Sequence, residues 1–216
     1  MRIEKKTKNW DELTRLPAHP SDQLLIEELR KQPERLIYDV DFATGKADVQ
    51  LVKKQIQEIS YFASLVDTPE WYQNVFFERM IENYPALSPY LQAKEIRVLV
   101  NNQSTGFHTD LPHRFLTLNY DLSYTLDECL RTTVEYEEDP NQSLSYDRNT
   151  LYILNVAKRH RVARTQGDLS SRYIISIALL RPYFPTEIID GVDQFLKKNS
   201  LLGGTDVWNY CQRPPE

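Results

Sequence analysis

Apolar and polar positions divide the chain into a stretch with helical spacing and a stretch with strand spacing. In DVQLVKKQIQEISYFASLV, residues 48–66, Val49, Val52, Ile56, Ile59, Ala63 and Val66 recur at steps of three and four, which predicts a helix buried along one side. A shorter helix is expected after Ser21, with Leu25, Ile26 and Leu29 on one face. Another begins at Thr68-Pro69, a capping residue followed by proline at the first helical position, carries Trp71, Val75, Phe76 and Ile81, and ends before Pro85. Residues 1–93 therefore read as a mostly helical region whose stripes pack against the rest of the chain.

From Lys94 the period changes. EIRVLVN, RFLTLNYDL, TTVEYEE, TLYILNV, HRVAR and RYIISIALL are short apolar or alternating runs, separated by the polar clusters SYTLDE, EDPNQS, DRN and TQGDLSS. Strands in series without intervening helices predict an antiparallel sandwich or barrel over 94–184. After Pro185, Ile188, Ile189, Val192, Phe195 and Leu196 restore a helical stripe, with Gly203-Gly204 beyond its end, so 185–216 reads as a helix and tail. The tail's Trp208 and Tyr210 either cover the site's mouth or dock on the core.

A chain of 216 residues supports one well-buried core, and a single domain is the economical reading. Its formal charge of −5 argues against a general nucleic-acid clamp, whose affinity comes from neutralising phosphates. Cys129 and Cys211 form no close pair, which fits a reducing cytoplasm rather than a disulfide framework. The charged N-terminus lacks the apolar core of a signal peptide, and no run is long enough to span a membrane. A soluble cytoplasmic protein is expected.

The candidate chemistry lies in GFHTDLPHR, residues 106–114. On an extended chain, residues two apart share a face, so His108 and Asp110 can reach one ion while Thr109 points away. His160 opens another strand about fifty residues later, far enough for several antiparallel strands to lie between. Two imidazoles and one carboxylate on one face of an octahedron suit non-haem Fe(II) and leave three positions open.

In sequence, IRVLVNNQSTGFHTD, RFLTLNYDL, LYILNVAKRHRV and SSRYIISI together resemble the Fe(II)- and 2-oxoglutarate-dependent dioxygenases, and within them the prolyl-hydroxylase-like branch, over roughly residues 95–181. The resemblance implies a mainly β fold, a double-stranded β-helix or jelly roll, with the helical N-terminal region as its support. It implies His108, Asp110 and His160 as iron ligands and catalytic centre, and Arg172 as the partner of the distal carboxylate of 2-oxoglutarate. A planar guanidinium suits that carboxylate because it can donate two parallel hydrogen bonds. The implied reaction couples decarboxylation of 2-oxoglutarate by O2 to hydroxylation, or a related C–H oxidation, of a small molecule, amino acid or peptide. An aspartate at the carboxylate position favours an oxygenase outcome over halogenation.

Two departures stand out. Relatives often carry a polar residue two positions after the arginine, whereas Ile174 stands there and Ser176 lies two further on, about 13 Å along the strand from Arg172. Asn101 and Asn102 occupy the region where the branch often has a tyrosine, leaving Tyr120 or Tyr152 as other sources of a hydroxyl.

For substrate, Arg114 and Arg131 suit a carboxylate, the acidic run 134–140 suits an amine, and His113 and Arg114 fall beside the ligand pair. Around His160, alternation puts Arg159 and Arg161 on the opposite, solvated face, which argues against reading AKRHRVAR as a nucleic-acid strip. A homodimer through the helical region is a further expectation. Two readings from other classes stay open: a non-catalytic jelly-roll binding protein, and a zinc-dependent hydrolase on the same His/Asp/His set.

Overall fold

A computed structural model describes residues 8–31, 35–41, 46–52, 64–91, 96–101, 104–111, 114–122, 132–164, 172–180, 184–209 and 211. Eleven strands appear among them: β1 (Trp10–Arg15), β2 (Arg35–Asp41), β3 (Lys46–Val52), β4 (Ser64–Asp67), β5 (Ile96–Asn101), β6 (Leu116–Asp121), β7 (Thr132–Tyr136), β8 (Asp139–Ser145), β9 (Thr150–Asn155), β10 (His160–Arg164) and β11 (Arg172–Leu180). Three α-helices accompany them: α1 (Pro20–Lys31), α2 (Glu70–Asn83) and α3 (Thr186–Lys198).

The strands form an eight-stranded sheet, ordered β1-β9-β6-β11-β5-β4-β2-β3, and a three-stranded sheet, β10-β7-β8. An isolated bridge between His108 and His160 adds the 104–108 segment to the smaller sheet beside β10. From β5 onward the chain passes repeatedly from one sheet to the other. It runs β5, then 104–108, β6, the β7-β8 hairpin, β9, β10 and β11, and every recorded strand pairing is antiparallel. Two antiparallel sheets of four, β9-β6-β11-β5 against β8-β7-β10 and 104–108, make a jelly roll, one form of the antiparallel sandwich or barrel that the strand series predicts.

Burial follows from what each sheet faces. The central strands LTLNYD and TLYILN are buried at every position because the large sheet is covered on both sides. One side packs on the helices, with Leu118, Tyr120, Ile153, Ile175, Ile177 and Leu179 joining Leu25, Ile26, Phe76, Met80, Val192 and Leu196 in one core. The other side faces the small sheet, where Val134, Tyr136, Leu144, Tyr146, Tyr152, Leu154 and Ile174 form a second cluster. TTVEY alternates buried and half-buried, as a strand with one solvated face must.

The N-terminal region departs from the helical expectation. It contributes α1 and α2, but also β1, which pairs with β9, and β4, which pairs with β5, so it extends the large sheet at both ends. The helix expected over 48–66 is strand wherever it is described: Val49 and Val52 lie in β3 and Val66 in β4, while 53–63 fall outside the described residues. KADVQLV also alternates at a period of two and is rich in β-branched residues, and it finds a hairpin partner in RLIYDVD, in register from Asp41↔Lys46 to Arg35↔Val52. Pairing overrides a stripe that both periods satisfy.

For α2 the span holds but the buried face is different. Tyr72, Phe76, Phe77 and Met80 are buried, while Trp71 is 40% exposed. Thr68 does not cap the helix; its hydroxyl donates to the Ile96 carbonyl at 2.6 Å, tying the helix start to β5. EDPNQS, expected as a turn, is largely β8, an outer strand with mostly exposed side chains. At the C-terminal end, Trp208 donates to Asp190 at 2.8 Å and so docks on α3.

Candidate metal centre

His108 and His160 pair across the small sheet through both backbone hydrogen bonds, His108 N–H to His160 O at 2.9 Å and the reverse at 2.8 Å. Asp110, two residues on, is held by its N–H on the Val156 carbonyl at 2.9 Å. Extended backbone at 108–110 thus aims both side chains to one side, as alternation requires. The three side chains are buried, and their ligand atoms lie within 4.8 Å of one another.

Each ring is oriented by a backbone acceptor. His108 Nδ1 lies 2.7 Å from the Gly106 carbonyl and His160 Nδ1 lies 2.9 Å from the Lys158 carbonyl. A carbonyl only accepts, so Nδ1 carries the hydrogen and a neutral ring has its lone pair on Nε2. Both Nε2 atoms face Asp110 Oδ1, at 3.6 Å and 3.8 Å. These separations are too long for hydrogen bonds and short enough for all three atoms to share one ion.

The other carboxylate oxygen, Asp110 Oδ2, is taken by Arg114 at 2.5 Å, and Arg114 also donates to Ser176 Oγ at 2.9 Å. Arg114 therefore leaves Oδ1 as the Asp110 oxygen open to an ion. Burial alone would push the Asp110 carboxyl up, but the Arg114 guanidinium and then the two imidazoles hold it below the ordinary carboxylate range. Burial pushes the His160 imidazole down against the pull of Asp110, which favours the neutral, ligating form.

One pocket between the sheets is lined by this triad, by Thr117 and Asn119 of β6, by Tyr146, and by Arg172, Ile174 and Ser176 of β11. Residues two apart on β6 and β11 line it because the intervening positions belong to the helix-side core. Arg172 is 4% exposed, donates from Nε to Asp121 at 2.9 Å, and lies with its guanidinium carbon 4.4 Å from the centre of the Tyr146 ring. Its Nη2 is buried and has no hydrogen-bond partner among the described residues.

The residues read from sequence distribute as follows. His108, Asp110, His160, Arg172 and Arg114 meet in this pocket, with Arg114 engaged by Asp110 and Ser176 rather than presented at the mouth. His113 and Arg131 lie outside the described residues, as does Asn102. Neither tyrosine named as a hydroxyl source serves the pocket. Tyr120 turns to the helix side, hydrogen-bonding Asp22 at 3.0 Å and Arg79 at 3.3 Å, and the Tyr152 hydroxyl accepts from the Asp147 N–H at 3.1 Å. The tyrosine that does line it is Tyr146, whose hydroxyl accepts from Asn119 at 2.8 Å. Only the alternation of Leu144 with Tyr146, at the end of a polar run, signals it.

The two charge runs meet each other on the outer face. Antiparallel register sets Arg161 opposite Glu135, with ion pairs Arg161–Glu135 at 2.7 Å, Arg159–Glu137 at 2.5 Å and Lys158–Glu138 at 2.8 Å. The acidic run 134–140 and the basic run around His160 thus supply one another's partners.

No family model matches the chain, and comparison with curated proteins found no match. Solved structures similar to it include prolyl hydroxylases and a member of the 2OG-Fe(II) oxygenase family. A Trichoplax adhaerens prolyl hydroxylase, solved with a hypoxia-inducible-factor oxygen-degradation-domain peptide, is 12% identical, with a TM-score of 0.44 over 79% of this chain and 82% of that one. A Pseudomonas putida prolyl-4-hydroxylase is 10% identical, with a TM-score of 0.46 over 79% and 91%. A Burkholderia pseudomallei oxidoreductase of the 2OG-Fe(II) oxygenase family is 14% identical, with a TM-score of 0.43 over 78% and 83%. At these values the jelly roll rests on the strand order and the site on its own geometry.

Proposed function

We propose that this chain is a non-haem iron oxygenase that uses 2-oxoglutarate and O2 to hydroxylate, or otherwise oxidise at a C–H bond, an amino acid, peptide or small molecule in the cytoplasm. The observation that carries the reading is one pocket holding both a two-histidine, one-carboxylate set and a buried guanidinium with an unpartnered N–H. The donors fit Fe(II): two imidazole Nε2 atoms and one carboxylate oxygen converge from one side, and the ring tautomers are set by carbonyls. Hydrolysis on zinc needs no dicarboxylate anchor, so Arg172 weighs against the zinc-hydrolase reading, and the binding-protein reading is separated from it by the titration below.

His108, Asp110 and His160 would hold the metal, and Arg114 would keep the second Asp110 oxygen from it. Arg172 would donate from Nη2 to the distal end of 2-oxoglutarate, with the Tyr146 hydroxyl beside it. Val134, Leu154, Val156, Val162 and Ile174 line the same pocket and exclude water from the reacting groups. Bound iron, with its cosubstrate and O2, supplies the oxidising chemistry that no side chain has.

The test is an anaerobic titration with Fe(II) and 2-oxoglutarate, following the weak visible charge-transfer band of the chelate, with His108→Ala alongside. The band should form in the parent and not in the variant. A folded parent without it would refute the oxygenase reading.

A further inference from the structure

The two guanidiniums of the pocket are each already matched by a buried carboxylate. Arg114 pairs with Asp110 at 2.5 Å, and Arg172 pairs with Asp121 at 2.9 Å, where the Asp121 side chain is 0% exposed. The Tyr146 ring face, 4.4 Å from the Arg172 guanidinium carbon, adds a contact that stabilises the cation without any ligand. What Arg172 still offers is the donor group at Nη2, rather than an uncompensated positive charge. A distal carboxylate arriving here would bury its charge beside Asp121, a cost that a neutral acceptor does not bear.

We propose that Asp121 sets the charge selectivity of the pocket's inner end, so that the site accepts 2-oxo acids with a neutral hydrogen-bond acceptor at the distal end nearly as well as the dicarboxylate. This rests on the reading of the pocket as a 2-oxo-acid site. Asp121 acts through Arg172: its carboxylate accepts the Nε–H, which turns Nη2 inward, and it cancels the charge that would otherwise favour a dianion. Asparagine at 121 keeps a carbonyl acceptor for Nε–H and removes the charge, with an amide NH2 in place of the second oxygen.

The experiment is calorimetric binding to the Mn(II)-loaded protein of two ligands matched in shape: 2-oxoglutarate, and the analogue whose distal carboxylate is an acetyl group. The parent should prefer the dicarboxylate by no more than about tenfold, and Asp121→Asn should widen that preference by at least another factor of about ten, the scale of one charge-assisted hydrogen bond. A parent preference beyond tenfold, or a ratio that Asp121→Asn leaves unchanged or reduces, overturns the proposal. If the variant does not fold, the parent's own ratio decides. If neither ligand binds the metal-loaded parent, the oxo-acid reading itself falls, and this proposal with it.

Discussion

Replacing Arg114 by methionine keeps most of the side-chain bulk and removes the cation that lies 2.5 Å from Asp110 Oδ2. The Asp110 side chain is 5% exposed and that of Arg114 17%, so this is a largely buried pair. Removing one partner of such a pair costs about 3–5 kcal/mol, because the other charge stays buried. The residual exposure of Arg114 puts the expected loss near 3 kcal/mol. In a chain of this length each kcal/mol moves the melting temperature by about 2–4 °C, so the metal-free variant should melt roughly 6–12 °C below the parent. A divalent ion on the same carboxylate replaces the missing charge, so the Mn(II)-loaded variant should lose less. If half the loss is recovered, metal affinity rises about tenfold. Scanning calorimetry of both proteins with and without saturating Mn(II) reads all four corners of this cycle. Equal losses in the metal-free and loaded forms would refute the claim that Arg114 and the metal share one carboxylate.

Three further outcomes are expected. Arg79→Met should destabilise the protein by about 3 kcal/mol in urea unfolding, because Arg79 pairs at 2.7 Å with an Asp22 that also takes hydrogen bonds from Tyr72 and Tyr120. Glu135→Gln should change stability by less than about 1 kcal/mol in the same assay, since its Arg161 partner is 42% exposed at the side chain. Stability of the metal-free protein should fall with acidification in two windows. His160, held neutral by burial, withdraws stability as pH drops through the ordinary histidine value towards its lowered folded one, and Asp110, held ionised by Arg114, withdraws more below the ordinary carboxylate value. Urea unfolding from pH 8 to 3 shows the first window, and His160→Gln should remove it.

The part of the candidate site whose geometry is local was legible. Alternation alone places His108 and Asp110 on one face, and the same rule puts Arg172, Ile174 and Ser176 together on β11 and turns Arg159 and Arg161 away from His160. Partners set by the rest of the fold were not legible. Nothing near Arg114 announces that it will also close on Ser176, because Ser176 is 62 residues away and meets it only once β11 lies beside β6. Tyr146 escaped because β8 is an outer strand whose polar DPNQSLS reads as a loop, leaving only Leu144 and Tyr146 to show which way it faces. The N-terminal strands escaped for another reason: a short run such as KADVQLV satisfies both periods, and the hairpin with β2 decides between them.

Burial on both faces of the large sheet also explains why the pocket's polar groups are tied to one another. On β6 and β11 the residues facing the helices are apolar or the core tyrosines Tyr120 and Tyr173, so a one-residue slip would drive Arg172 and Asp121 into that core. Register is thereby fixed, and each inward polar group needs a partner inside the pocket because water is scarce there. Thr117 meets Ser176 at 3.0 Å, Asn119 meets Tyr146 at 2.8 Å, Arg114 meets Ser176 at 2.9 Å and Asp121 meets Arg172 at 2.9 Å. Against this pairing, a buried Arg172 Nη2 without an acceptor costs on the order of 1–3 kcal/mol. Among the described residues that line this pocket, Arg172 Nη2 is the buried side-chain atom left without a hydrogen-bond partner.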